Sequence, residues 1–198
     1  MTSPLRPALA TVGLFTILLG LAAPLAMTGL AAAAFPERAK GSPVMRDGQL
    51  AGSALLGQDF HADRYFHPRP SATTEADPAV SGGTRPAPYN AAASAASQLG
   101  PTSATLLEAV RQRAAGLGGR AVPADAATAS GSGLDPDISP ANAARQLRRV
   151  AEARGLPEAR VAALLAAETR GRELGIFGEP RVNVLRLNIA LDATGPGR

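Results

Sequence analysis

A chain of 198 residues with 20 basic and 16 acidic side chains carries a formal net charge of only +4. Its basic residues are Arg apart from Lys40 and do not alternate with aromatics, which excludes a nucleic-acid-binding surface. Without cysteine there is no disulfide framework, and the length allows one membrane segment plus one soluble domain rather than two domains.

No charged residue lies between Arg6 and Glu37, and residues 9–35 are almost entirely Leu, Ala, Gly, Ile, Val, Phe and Met. As a helix, roughly 27 residues rising ~1.5 Å each exceed the ~30 Å hydrocarbon core of a bilayer. The expected division is a short tail at 1–8, a transmembrane helix at 9–35 and a soluble domain at 36–198. A cleaved secretory signal is the rival reading, with Arg6 as its positive region and Ala31 and Ala34 as small cleavage residues, but its apolar part runs only ~7–15 residues. Pro24 removes one backbone bond and is expected to kink the span. Gly13 and Gly20 share a face, and Ala22/Ala26 and Gly29/Ala33 have the spacing that lets helices approach closely. Basic residues flank both ends, Arg6 on one side and Arg38, Lys40 and Arg46 on the other. A bare count favours a cytoplasmic domain, yet long domains translocate largely regardless of charge.

Beyond the span, the apolar stretch from Leu50 to Leu56, bounded by Gly48 and Gly57, predicts a short buried strand. Pro68, Pro70, Pro78, Pro86 and Pro88, with Gly82 and Gly83, make residues 68–90 a long loop. Ser103 caps a helix ending near Gly116, with Leu106, Leu107, Val110 and Ala114 on one face and Arg111 and Arg113 away from it. Ser139 and Pro140 open a second helix, with Ala143, Leu147, Val150 and Ala151 inward and Gly155 as its stop. A third begins around Pro157 and Glu158 and carries Val161, Leu164 and Leu165 towards Gly171. Val182, Val184, Leu185, Leu187, Ile189 and Leu191 read as a strand whose phase slips at Leu185. The class is α+β: one N-terminal transmembrane helix, then a single soluble α+β domain with about three helices and a small sheet, without a repeat of solenoid period.

Catalytic signals are sparse, and no catalytic residue is assigned. His61, Asp63 and His67 offer zinc-ligand types, but Phe60, Tyr65 and Phe66 among them suit a core edge, with His67 bonded to backbone. Ser130-Gly131-Ser132-Gly133 with Asp135 invites a hydrolase using His67 as base. Neither serine has glycine two residues before and after, as a nucleophile elbow requires. No Gly-Lys-Ser/Thr follows, so a phosphate loop fails too, and a turn explains the glycines as well as an anion nest does. Arg145, Arg148, Arg149 and Arg154 suit an acidic partner or a solvated helix face. Asp135 and Asp137 favour the positive end of the helix after them.

Ordered segments along nearly the whole chain carry a resemblance: Leu5-Arg6-Pro7-Ala8-Leu9, Phe35-Pro36, Gly52-Ser53-Ala54-Leu55-Leu56-Gly57-Gln58 with Phe60, Tyr65-Phe66-His67, Arg69-Pro70-Ser71-Ala72 and Tyr89-Asn90. Val122-Pro123, Thr128-Ala129-Ser130-Gly131-Ser132-Gly133-Leu134-Asp135, Ile138-Ser139-Pro140 and Gly178-Glu179-Pro180-Arg181-Val182-Asn183-Val184-Leu185 follow, then Leu187-Asn188 and Ala190-Leu191-Asp192. In this order they resemble the KdpC family of subunits of the bacterial Kdp potassium-transporting P-type ATPase. Pro68, Gln98 and Asp137 depart from that family's usual residues.

The resemblance implies a single-pass, non-catalytic subunit in the bacterial inner membrane, with its soluble domain extracytoplasmic. It implies as partners a potassium-channel-like subunit, an ATP-hydrolysing subunit and a small single-helix subunit. It also implies a chaperone-like role that raises the pump's ATP affinity, with Gln58 touching nucleotide; ATP is met through the complex, and no cofactor is assigned to this chain alone. The density of aromatic, Gly and Pro residues marks an expected partner face at Tyr65, Phe66, His67, Arg69, Pro70, Ser71, Tyr89, Asn90, Ser130, Gly131, Ser132, Gly133 and Asp135. The alternative is an independent membrane-anchored envelope hydrolase or metal-binding protein working through His61, Asp63, His67 and Ser132.

Overall fold

The apolar N-terminal run, uncharged after Arg6, folds as one long helix because a helix satisfies its interior backbone amides and carbonyls within the segment. In the computed structural model, which describes residues 3–119 and 121–195, it spans Leu5–Ala34, and its most apolar 18-residue stretch has a mean hydropathy of 2.1. It starts four residues before the expected position 9 and comprises α1 (Leu5–Ile17), a π-helical turn at Leu18–Ala22 and α2 (Ala23–Ala34), none with a buried residue. The π turn lies just ahead of Pro24, which has no amide hydrogen for the preceding turn; a widened turn is a common way for a helix to absorb that loss. By length and composition this is a candidate membrane-spanning helix. A short α3 (Pro36–Ala39) follows, and the chain divides into two compact units at Pro43/Val44.

In the second unit β1 (Pro43–Arg46) pairs with β2 (Gln49–Ser53). Asp47 and Gly48 join them with φ of +51° and +77°, the doubly left-handed geometry of a two-residue hairpin turn. The buried strand expected here ends at Ser53, and Leu50, Leu55 and Leu56 are exposed. Two short strands offer too little face to bury such side chains. The loop expected at 68–90 contains the antiparallel pair β3 (Thr74–Ala76) and β4 (Thr84–Pro86), with Glu75 opposite Arg85. Next come α4 (Ala104–Gly116), capped by Ser103, and the single turn α5 (Ala124–Ala127).

The core is built on an antiparallel three-stranded sheet in the order β5 (Asp137–Ile138), β7 (Arg181–Asn183), β6 (Thr169–Arg170). Helix α6 (Pro140–Arg154) opens at Ser139 and closes at Gly155 in the left-handed conformation, as expected. Helix α7 (Glu158–Glu168) stops short of Gly171 because Thr169 enters β6. The strand expected through Leu191 is a correction: only Arg181–Asn183 is extended, and Val184–Ala193 is helix α8. Asn183 caps it by accepting from the Arg186 amide at 3.1 Å. Val184, Leu187, Asn188 and Leu191 then fall three or four residues apart on one buried stripe. Phe66, Ile138, Val150, Val161, Val182, Leu187 and Leu191 form the centre of the cluster.

Candidate functional site

Tyr65, Phe66 and His67 run across the core, where every backbone polar group needs a partner. Two carboxamides supply them. Asn188 on α8 accepts from the Phe66 amide at 2.8 Å and donates to its carbonyl at 3.0 Å. Gln146 on α6 does the same for His67, at 2.7 and 3.0 Å. Both carboxamides are almost fully buried and substitute for a neighbouring strand. Phe66 is wholly buried as a result, so it packs the core and offers no surface to a partner. The His67 ring contacts the Ala62 carbonyl at 3.2 Å, and burial, reinforced by Arg149, holds it below its ordinary pKa.

The chain leaving His67 meets the Ser/Gly turn. Arg69 pairs with Asp135 at 2.7 Å, and Ser71 donates to the Gly133 carbonyl at 2.8 Å. Tyr89, left-handed at φ +60°, donates its hydroxyl to the Arg69 carbonyl at 2.8 Å; burial pushes its pKa up. Its ring lies against Gly57, where a Cβ would collide with both the ring and the Asp135 carbonyl, so this close approach requires glycine. Gly133, at φ +70°, faces Thr73 and the Ala95 carbonyl just as tightly. Buried Ser130 caps the turn by accepting from the Gly133 amide at 3.1 Å, and Ser132 accepts from Leu134 at 3.1 Å. Asn90 ties this turn region to β3 by donating to Thr74 at 2.9 Å. Arg69, Pro70, Ser71, Tyr89, Asn90, Gly133 and Asp135 thus come together, as residues far apart in sequence.

A cleft of about 400 Å³ opens beside them, lined by Phe60, Tyr89, Pro68 and Pro88 and by the cations Arg69, Arg113 and Arg145. Gln58 is not in its lining; its amide nitrogen donates to the Ala51 carbonyl at 2.9 Å. His61 bonds Asp59 at 2.8 Å, and no group of three or more metal-ligand side chains gathers among the described residues. The Ser132 hydroxyl bonds within its own turn and makes no hydrogen bond to His67 among the described residues.

The arginines of α6 divide. Arg148 is exposed and pairs with Glu152 at 2.7 Å, as on a solvated face. Arg149 instead reaches the Asp63 and Tyr65 carbonyls at 2.6 and 3.0 Å. Arg154 is nearly buried, paired with Asp192 at 2.7 Å and stacked 5.0 Å from the Tyr65 ring centroid. Burial works to raise the Asp192 pKa, but hydrogen bonds from Arg154, Arg46 and Tyr65 prevail and hold it below the usual range. At the other end of α6, Asp125 accepts from the Ser139 amide and hydroxyl at 2.8 and 2.7 Å and from Asn142 at 3.0 Å. These bonds outweigh its burial and hold it low as well, whereas burial, with Asp135 nearby, raises Asp137. Arg113, expected away from the packed face of α4, donates to the Ala127 carbonyl at 3.1 Å.

Sequence reasoning missed Asp125, Asn142, Gln146, Asn188 and Asp192. One signal for three of them was present: Asn142 and Gln146 sit on the buried stripe of α6, and Asn188 on that of α8. A polar residue on an apolar stripe must be satisfied inside.

The family model described as "KdpC: K+-transporting ATPase, c chain" matches residues 5–193. The chain belongs to the KdpC family. It is similar to the potassium-transporting ATPase KdpC subunit of Methylorubrum populi, 57% identical over 97% of this chain and 98% of that one. The subunits of Methylorubrum extorquens and Rhodopseudomonas palustris are 55% and 54% identical, over 96% and 98% of this chain and 97% and 98% of theirs. Family membership makes this chain a non-catalytic component of the Kdp complex.

Proposed function

We propose that this chain anchors itself in the bacterial inner membrane through Leu5–Ala34 and carries its folded unit on the extracytoplasmic side. There it stabilises a potassium pump made with a channel-like subunit, an ATP-hydrolysing subunit and a small single-helix subunit. The observation that carries this reading is a 30-residue apolar helix, unburied by its own chain, ahead of a unit that matches the family along its length. A span with no buried residue among the described ones suits packing against other membrane helices.

The chain also raises the pump's affinity for ATP. With the folded unit outside the cytoplasm, where ATP is scarce, that effect passes through the complex. Gln58 is the residue offered for nucleotide contact, and Gln58→Ala should raise the pump's apparent KM for ATP if it takes part. Its bond to Ala51 gives it a local role too, so an unchanged KM would confine it to β2.

Affinity purification of the tagged full-length chain from potassium-starved membranes, with a potassium-stimulated ATPase assay, tests the assembly. Co-purifying multi-span partners with activity supports it; a lone chain where the partners are expressed overturns it. Orientation is open to a clean test because the chain has no cysteine. Ser81→Cys, on an exposed turn, should react with an impermeant maleimide added outside intact spheroplasts. Protection until lysis would put the unit in the cytoplasm.

A further inference from the structure

The cleft beside Tyr89 holds more positive charge than its surroundings neutralise. Among the described residues, three guanidinium groups line it and Asp59 is its only carboxylate, already 2.8 Å from the His61 ring. Arg69 alone of the three pairs with a carboxylate, Asp135, and its buried Nε makes no hydrogen bond. Arg113 bonds a backbone carbonyl, and Arg145 only the Asn142 carboxamide oxygen at 3.4 Å, near the limit of a hydrogen bond. A half-enclosed cleft lowers the local dielectric, so uncompensated guanidinium groups there attract an anion more strongly than on open surface.

We propose that this cleft binds a small organic oxyanion, a carboxylate or a phosphate ester, held by Arg113 and Arg145 with Arg69 as the fixed third cation. Guanidinium forks match the paired oxygens of both groups. At about 400 Å³ the space exceeds what a bare inorganic ion fills and is of the size that takes a small molecule. Phe60 and Tyr89 supply an aromatic wall for the ligand's body. The site is separate from Gln58 and does not depend on assembly of the pump.

Calorimetric titration of the full-length chain in non-ionic detergent, at constant chloride, with benzoate, phenyl phosphate and inorganic phosphate tests it. Saturable binding of benzoate or phenyl phosphate is expected, and the preferred probe assigns the class. Arg145→Gln, at an exposed position, should weaken that binding at least about tenfold and leave the unliganded melting temperature unchanged. Arg148→Gln, outside the cleft on the same helix, should change nothing. Three results overturn the proposal: no saturation with any probe, saturation by inorganic phosphate alone, or equal affinities in the two variants.

Discussion

Helices α4 and α6 both start at a serine whose hydroxyl accepts from the amide three residues on, at 3.3 Å for Ser103 and 3.0 Å for Ser139. Yet α6 buries Asn142, Ala143, Gln146, Val150 and Ala151, and α4 buries nothing. A cap satisfies orphan amides and so sets where a helix begins. Where the helix packs is decided by its stripe and by what meets its ends. The stripe of α6 packs against α7 and strand β7, and carboxylates grip both ends, Asp125 at Ser139 and Asp192 at Arg154. Leu107 of α4 stays half exposed.

That contrast can be broken by mutation. The largest effect should come from Leu187→Ala, which opens a cavity in the cluster that α6 packs against and should cost about 2–5 kcal/mol. Leu107→Ala on α4 should stay within about 0.5 kcal/mol, and equal losses in urea unfolding of the full chain in detergent would erase the distinction. Asn188→Ala should cost about 1–3 kcal/mol, because the Phe66 amide and carbonyl lose their partner inside the core. Faster amide exchange at Phe66 would distinguish this from a general loosening. The two caps sharpen the comparison further. Ser139→Ala should cost about 1–2 kcal/mol and exceed Ser103→Ala, since it also strips a donor from Asp125.

The smallest effect concerns pH. Asp125 and Asp192 have depressed folded pKa values, so their contribution is whole above the unfolded value of about 3.9 and is lost as pH falls through the folded ones. Asp137, raised by burial, works in the opposite direction, because its folded form takes up a proton more readily. Asp125→Asn, which leaves no buried cation unpaired, should flatten the acid limb of the melting-temperature profile. An unchanged limb would assign acid sensitivity to other carboxylates.

Local signals made α4, α6 and most of α7 legible, because Ser103, Ser139, Pro140 and Gly155 act within a few residues of themselves. The stretch from Val182 misled because three extended residues run directly into a helix. The slip at Leu185 was the trace of that junction, and Asn183 was its cap. Phe66 looked like part of a partner face because aromatic density does not say which side of a chain is inward. That depends on Asn188 and Gln146, which lie 122 and 79 positions further on. The gathering of Arg69, Tyr89 and Asp135 was legible only as a set of matched motifs, since its geometry rests on glycine gaps at Gly57 and Gly133 that spacing does not reveal. The cleft left no sequence signal, as Arg69, Arg113 and Arg145 come from three separate segments.

Asp192 joins Arg46 of the first strand to Arg154 and Tyr65 across a sequence separation of 146 residues from Arg46. A ribosome making this chain releases Arg46 long before it adds the aspartate that neutralises it. Until then the link that ties the first strand to α6 and Tyr65 has no centre, so it forms only once α8 has been made. A fragment ending ahead of that codon would keep its apolar N-terminal helix but lack the carboxylate that Arg46, Arg64 and Arg154 share, leaving nearly buried Arg154 without its ion-pair partner.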